Sequence, residues 1–102
     1  MRLSDKEKKS ICEAFLRHFG KNDHLWLFGS RADDSRKGGD IDLYIETEEK
    51  VSSIALKNKL SFLSDLWTSI GEQKIDVVLN LTHDHFNLPI YQQAKSQGIL
   101  LI

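Results

Sequence analysis

Two neighbouring segments in the first half of the chain constrain its fold most strongly. Residues 25–31 form an apolar run that ends with Gly-Ser-Arg, and residues 40–45 form a second apolar run that opens with two acids. Because side chains alternate along a strand, Asp40 and Asp42 share one face, while Ile41 and the apolar residues after it face a core. The spacing predicts two strands joined by a hydrophilic loop.

The residues of these two segments are those of a phosphate and metal site. Two carboxylates on one face of a strand repel each other and need cations between them. Mg²⁺ is the natural cation, because it takes oxygen ligands and shares its coordination shell with substrate phosphates. The turn at Gly29 and Ser30 supplies backbone that can approach a phosphate oxygen closely, since glycine has no side chain.

Size and composition narrow the classes of protein. With 102 residues, of which 40% are hydrophobic and 28% charged, the chain is expected to form a single domain over residues 1–102. Its formal net charge of -1 argues against nucleic acid as a direct ligand, because domains that bind nucleic acid by charge are usually strongly basic. No stretch is long enough to span a bilayer, so no membrane partner is expected.

The cysteine content and the first residues bear on location. The single Cys12 excludes an intramolecular disulfide, which fits a reducing cytosol. Its apolar neighbours on a predicted helix favour a small buried residue over a nucleophile. The polar start of the chain does not resemble a signal peptide. We therefore expect a cytoplasmic protein.

The first predicted helix has a recognisable beginning and end. Ser4 and Glu7 match a capping box, so the helix begins near Asp5. Gly20 offers the left-handed position that commonly ends a helix. The strand that follows, at 24–28, is apolar on both faces and should therefore be central in the sheet.

A second, longer helix is predicted after the strand that starts at Asp40. Its apolar residues recur at helical spacing and should face the core: Ile54, Leu56, Leu60, Leu63, Trp67 and Ile70. Gly71 should end this helix. Both tryptophans, Trp26 and Trp67, are interpreted as core residues.

The last third of the chain predicts one more helix between two strands. A strand is expected at 73–79, a polar connector at 80–87, a helix at 88–97 and a short terminal strand at 99–102. Pro89 is acceptable in the first turn of that helix. The order αββαβαβ predicts an α/β (α+β) fold, in which a mixed β-sheet is covered by helices.

Asp76 is the unusual residue of the third predicted strand. Ile75 and Val77 should face the core, so Asp76 should project to the opposite side. An acid inside a run of β-branched residues is disfavoured and costly to bury, so it needs a partner or a metal. We expect the third strand to lie beside the second, so that Asp76 reaches Asp40 and Asp42.

Together these residues resemble the polymerase-β-like nucleotidyltransferase superfamily. The resemblance lies in Phe28-Gly29-Ser30, nine intervening positions, then Asp40-Ile41-Asp42-Leu43, with a third carboxylate on a later strand, which Asp76 matches. The small size points to the minimal nucleotidyltransferase (MNT) family. The ending at 90–101 is similar to the last helix and strand of such proteins, so the resemblance covers nearly the whole chain.

The resemblance implies a reaction and a set of roles. It implies a Mg²⁺-dependent transfer of AMP from ATP to a protein hydroxyl, with two ions held by Asp40, Asp42 and Asp76 as catalytic and metal-binding residues. Gly29 and Ser30 would bind the nucleotide phosphates. Arg31 is also assigned to nucleotide binding, with a structural salt bridge as an equal alternative.

The resemblance also implies a partner. Proteins of this kind are antitoxins of two-component toxin–antitoxin pairs, and the partner is a small helical HEPN-domain ribonuclease. A macromolecular acceptor suits a chain this short, because little surface remains for a separate acceptor domain. Transfer to a small molecule such as an aminoglycoside is the less favoured alternative, since those enzymes usually add a second domain.

The chain departs from the family pattern in the loop after Arg31. Many relatives continue Gly-Ser-Arg-Ala with Arg-Gly, but here Asp33 and Asp34 follow, close to the expected triphosphate. Arg36 and Lys37, with the diglycine after them, could restore positive charge or simply be solvated. The alternative function is therefore a binding module that neutralises a HEPN-type partner with little or no catalysis.

Two further features have open interpretations. Tyr44 shares the face of the two acids and either lines the nucleotide or acceptor cleft or packs in the core. The run His83-Asp84-His85 could suggest a transition-metal site, but one short loop without further Cys or His nearby is better interpreted as a connector.

Overall fold

The computed structural model describes residues 1–36, 39–71 and 73–102. Its helices are α1 (Asp5–His18), α2 (Ser52–Ile70) and α3 (Pro89–Gln97), and its strands are β1 (His24–Phe28), β2 (Ile41–Thr47), β3 (Ile75–Leu81) and β4 (Ile99–Leu100). Short 3₁₀ turns follow β1 at Gly29–Ala32 and β3 at Thr82–Asp84. The predicted order αββαβαβ is confirmed.

The four strands form one mixed sheet in the order β3-β2-β1-β4. β1 is antiparallel to both of its neighbours, and β2 and β3 run parallel, as expected when a long helix joins them. The central place predicted for β1 is confirmed. β3 begins and ends two residues later than predicted, so Asn80 and Leu81 belong to the strand and not to a connector.

One face of the sheet packs against α1 and α2. The odd-numbered residues of β2 are fully buried there, together with Leu25 and Leu27 of β1. Phe15, Phe19 and Phe62 contact one another where the two helices meet, with ring centroids 5.0 to 6.4 Å apart. This face carries the main hydrophobic core.

The predicted core stripe of α2 is wrong in part. Leu63 is buried, but several of the other residues are about half exposed: Ile54, Leu56, Leu60 and Trp67. The residues that pack inward are Ala55, Phe62, Leu63 and Leu66. The helix carries more apolar residues than one face can bury, so helical spacing alone did not identify the buried face.

The ends of the helices agree with the prediction at most points. The Ser4–Glu7 capping box is present, and each side chain accepts the other residue's backbone N–H at 3.0 Å. Gly71, with φ of 85°, ends α2. Gly20 does not adopt the predicted left-handed conformation; α1 ends at Phe19 in extended backbone, and the Asp23 carboxylate accepts the Gly20 N–H at 2.9 Å.

The other face of the sheet is covered by α3. Tyr91 and Ala94 of this helix pack on Tyr44, with Trp26 and Phe28 of β1 at the margin. The chain turns from α3 into β4 at Gly98, where a Cβ atom would lie 2.1 Å from the Ala94 carbonyl oxygen, so a side chain cannot be accommodated.

Two further expectations, one about Cys12 and one about membrane-spanning helices, can be compared with the structure. Cys12 is partly buried on α1, and burial raises the pKa of its thiol, which agrees with an unreactive packing residue. None of the described helices has the length and apolar character needed to cross a membrane.

Candidate active site

Asp42 and Asp76 lie side by side on the face of the sheet that α3 covers. They are direct partners in the parallel register of β2 and β3, which are neighbouring strands about 4.8 Å apart. The predicted adjacency of the two strands is present. Asp76 is exposed at the start of its strand, so the burial cost invoked for it does not arise.

Asp42 is the more enclosed of the two carboxylates. Burial raises the pKa of the Asp42 carboxyl, and the negative charges of Asp76 and Asp40 raise it further. An anionic cluster of this kind is destabilised in the absence of positive charge. The arrangement therefore attracts a cation to the space beside Asp42.

Asp40 lies just before β2 and is held by a lysine. Its carboxylate is 3.3 Å from Lys74 Nζ, and this pairing raises the pKa of Lys74, with further contributions from the charges of Asp76 and Asp42. Lys74 precedes β3, as Asp40 precedes β2. Sequence reasoning missed this lysine, because its pairing with Asp40 depends on the register of β2 and β3, in which both residues precede the paired Ile41 and Ile75.

The three carboxylates do not form one closed metal site. Among residues 1–36, 39–71 and 73–102, no group of three or more His, Cys, Asp or Glu side chains could hold a metal ion. Asp40 is paired with Lys74 in a contact that is largely exposed to solvent. Asp42 and Asp76 remain as two neighbouring oxygen ligands, a set that suits Mg²⁺ when substrate phosphates complete its shell.

Gly29 brings backbone against the Asp42 carboxylate. Its φ is +72°, and a Cβ atom built on it would lie 2.2 Å from Asp42 Oδ2. Both facts require glycine at this position. Ser30 follows in the same 3₁₀ turn, and its carbonyl oxygen accepts the Asp33 N–H at 3.2 Å. The turn thus lies directly next to Asp42.

Arg31 ties the turn to the rest of the chain. Its guanidinium donates to the carbonyl oxygens of Arg2 at 2.9 Å and Gly39 at 3.0 Å, and lies 4.0 Å from the Glu7 carboxylate. Of the two interpretations left open by the sequence, these contacts match the structural one. The assigned contact of Arg31 with phosphate stays a prediction.

A cavity of about 450 Å³ opens beside the Gly29 turn. Its walls come from the end of β1, the turn and the loop after it, and the outer side of α3: Phe28, Gly29, Ala32, Asp33, Asp34, Arg36, Gln93 and Gln97. Hydrogen bonds from the Ser35 side chain and backbone lower the pKa of Asp33, so it is ionised at neutral pH. Because Asp33 and Asp34 both line the cavity, their carboxylates face the space available to a ligand.

Two basic residues, Arg36 and Lys37, were expected to supply positive charge in this loop. Arg36 lines the cavity, whereas Lys37 and Gly38 lie outside the described residues. Gln93 and Gln97 were not predicted as site residues. Their spacing of four within a predicted helix was the available signal that they share a face.

A model of the family described as "Polymerase beta, Nucleotidyltransferase" matches residues 10–102. The chain belongs to this nucleotidyltransferase family. A search of curated proteins found no match. The matched region includes the Gly29 turn, both in-register acids and α3, so the family assignment covers every part of the candidate site. Family membership supports a transferase activity of the nucleotidyltransferase type.

Tyr44 of this nucleotidyltransferase domain is a packing residue. It is fully buried, with its ring 5.3 Å from the Trp26 ring and 5.5 Å from the Tyr91 ring. Its hydroxyl donates to Glu46 Oε2 at 2.8 Å and accepts from Asn80 Nδ2 at 3.0 Å. Of the two interpretations of Tyr44, packing in the core and lining a cleft, the structure supports packing.

The segment His83–His85 lies at the opposite end of β3 from Asp76. It forms an exposed 3₁₀ turn that ends at His85, whose φ of 57° is left-handed. The segment connects β3 to the residues that precede α3, which agrees with its interpretation as a connector.

Proposed function

We propose that this nucleotidyltransferase domain transfers a nucleoside monophosphate, AMP from ATP, to a hydroxyl group of a partner protein. Asp42 and Asp76 in register beside the backbone of Gly29 carry the proposal. Nucleotidyl transfer needs positioning and charge neutralisation more than covalent chemistry. The glycine turn can position the phosphates, and the carboxylate pair can hold the cation that would neutralise their charge.

Each part of the site has its own role in the proposed reaction. Backbone N–H groups at Gly29 and Ser30 bind the outer phosphates, where the missing side chain of Gly29 permits close approach. Asp42 and Asp76 orient the α-phosphate and the attacking hydroxyl on the α3 face of the sheet. The cavity between the turn and α3 gives the nucleotide room on the side away from β3.

Mg²⁺ is the proposed cofactor, bound by Asp42 and Asp76. When bound, it would neutralise the phosphate charge and polarise the α-phosphate. The pKa of Asp42 is raised by burial and by the charges of Asp76 and Asp40, and a bound cation would offset both effects, which supports a cation here. Asp40 joins these ligands in the proposal once a competing cation displaces Lys74 from it.

The proposed acceptor is a HEPN-domain toxin, which makes this chain the antitoxin of the pair. The proposal rests on the MNT resemblance and on size, because a domain with a radius of gyration of 13.0 Å has little surface for a separate acceptor site. A protein acceptor brings its own binding surface.

A second candidate function is neutralisation of the same partner by binding alone. It is favoured by the acids Asp33 and Asp34 on the cavity wall, where a triphosphate would meet negative charge. The commitment of Arg31 to Glu7 and to backbone carbonyls removes one cation that could have offset them.

Intact mass of the partner distinguishes the two functions. The protein encoded by the neighbouring reading frame is incubated with this chain, ATP and Mg²⁺, and transfer predicts an AMP-sized increment. Asp42→Asn should abolish the increment, and Asp5→Asn, an exposed acid in the first turn of α1, should preserve it. An unmodified partner that still forms a complex supports the binding module.

Calorimetry with ATP tests the metal part of the proposal without a partner. Binding should be weak in a chelator and tighter in Mg²⁺, because the cation screens repulsion between carboxylates and phosphates. Equal affinity in both conditions removes Mg²⁺ from the proposal.

A further inference from the structure

β3 forms one edge of the sheet. It is first in the order β3-β2-β1-β4, so β2 is its neighbour in the sheet. The hydrogen bonds recorded for the described residues include none from another segment to its outer backbone. The opposite edge is β4, which has only two residues. β3 has seven and is therefore the long free edge.

Strand geometry shows which backbone groups point outward. The Ile41 N–H donates to the Lys74 carbonyl at 3.0 Å, so in this parallel pair the even-numbered residues of β3 bond to β2. The N–H and C=O groups of Val77 and Leu79 therefore point away from the sheet. They are available to another strand.

An apolar surface of α2 continues this edge. Leu56, Leu60 and Trp67 are 51%, 56% and 47% exposed and recur on one side of the helix. At 100° per residue this side is opposite Asp65, which contacts α1 through Arg17 and His18. Trp67 Nε1 donates to the Gln73 carbonyl, just before β3. The surface thus lies toward the β3 edge.

The edge lacks the features that usually prevent strands from pairing. The segment Ile75–Leu81 contains no Pro, Lys or Gly, and its one charged residue is Asp76. Val77 and Leu79 are partly buried against the helix layer and extend the apolar surface of α2. Unpaired backbone next to apolar side chains suits an incoming strand that brings its own helix.

The sequence of β3 is self-complementary in the antiparallel direction. Pairing about Val78 would place Val77 opposite Leu79, Ile75 opposite Leu81, and Asp76 opposite Asn80 of the other copy. No like charges would be opposed, and a carboxylate would face an amide. The outward backbone groups would then be the hydrogen-bonded pairs, giving about eight interstrand hydrogen bonds.

We propose that β3 and the exposed side of α2 form a homodimer interface, in which two copies pair their β3 strands antiparallel about Val78 and pack Leu56, Leu60 and Trp67 across the two-fold axis. The two sheets become continuous, and Asn80 of the second copy stands beside Asp76. The dimer does not depend on the transfer reaction and remains possible if the chain is only a binding module.

Molar mass measured over a range of concentrations tests the dimer. The wild type should approach twice 11.7 kDa as concentration rises. Leu60→Lys should raise the dimer dissociation constant about tenfold or more, because it places a charge in an apolar contact. Leu16→Lys changes another exposed leucine, 62% exposed on α1, and should leave the dimer intact. Circular dichroism verifies that both variants fold.

Amide hydrogen exchange of the wild type tests the strand pairing itself. The Val77 and Leu79 amides should become protected as concentration rises, while the Val78 amide, which bonds to β2, should be protected throughout. A monomeric mass at all concentrations, equal dissociation by both lysine variants, or exchange at Val77 and Leu79 that ignores concentration would each overturn the proposal.

Discussion

The two faces of the sheet differ in what β2 presents to them. Toward α1 and α2 it presents Ile41, Leu43 and Ile45, all fully buried. Toward α3 it presents Asp42, a buried tyrosine and Glu46. One strand therefore supplies both a dry core and a polar site, with no change in backbone conformation. The site is on the face that the shorter helix leaves partly open, where a substrate can enter.

The two faces also differ in how their side chains are held. On the α1 and α2 face the contacts are apolar and aromatic. On the α3 face a chain of polar contacts runs from Asn80 through Tyr44 to Glu46, whose carboxylate is 3.2 Å from Lys95 Nζ. Lys95 in turn lies 5.5 Å above the Trp26 ring. This network supports the sheet just beyond the acids without using them.

Asp42→Asn should give the largest effect and separate function from stability. If transfer occurs, its rate should fall about 10³-fold, equivalent to about 4 kcal/mol, because a metal-binding charge is lost. Stability should hold or rise slightly, since repulsion with Asp76 and Asp40 is relieved. Transfer assays and urea unfolding measure the two quantities. An unfolded variant would mean that Asp42 is structural.

Leu43→Ala changes the neighbouring residue on the other face of β2 and should affect stability but not transfer. Leu43 is fully buried, so removing its side chain should cost about 3 kcal/mol of unfolding free energy through lost burial and a cavity. Transfer per folded molecule should be unchanged. Urea unfolding gives the free energy, and a rate corrected for the folded fraction gives the comparison. A loss of transfer without loss of stability would contradict the division between the faces.

Tyr44→Phe should have an intermediate effect. The ring stays, but the Asn80 amide loses its buried acceptor, so stability should fall by about 1.5 kcal/mol. The Michaelis constant for ATP should not change, because Tyr44 packs and does not line the cavity. A raised Michaelis constant for ATP with unchanged stability would mean that Tyr44 contacts the substrate.

Sequence pattern predicted β2 well because alternation is a local rule. An Asp-x-Asp segment in extended backbone places both acids on one face, although β2 itself begins at Ile41, one residue later than predicted. The family signature then located the turn and Asp76. The buried side of α2 could not be obtained in this way, because apolar residues such as Leu60 and Leu66 occur on two of its sides, and only contact with α1 and the sheet selects one.

The partners of the charged residues were the least predictable part of the site. Arg31 finds Glu7 across 24 residues of chain, and Asp40 finds Lys74 only because β3 aligns with β2 in this register. Ion pairs of this kind depend on distances that no local pattern contains. The assignment of Asp40, Asp42 and Asp76 as metal ligands stays a prediction: among the described residues, no group of three or more His, Cys, Asp or Glu side chains could hold a metal ion.

The pH dependence of stability should show the smallest effect and test the electrostatics of the polar face directly. The folded-state pKa of Asp42 lies above its ordinary value of 3.8, so between those two values the folded protein holds more protons than the unfolded chain. The free energy of unfolding should therefore fall as pH rises through that window. Because Asp42 is partly exposed and screened by water, the contribution should stay below about 1 kcal/mol. Thermal unfolding of the wild type and Asp42→Asn across this range measures this contribution, and the variant should show the flatter profile.

Asp5→Asn, at an exposed position of α1, is the matched control and should keep the wild-type slope. Identical profiles for the wild type and Asp42→Asn would mean that burial and the neighbouring acids do not raise the pKa of Asp42.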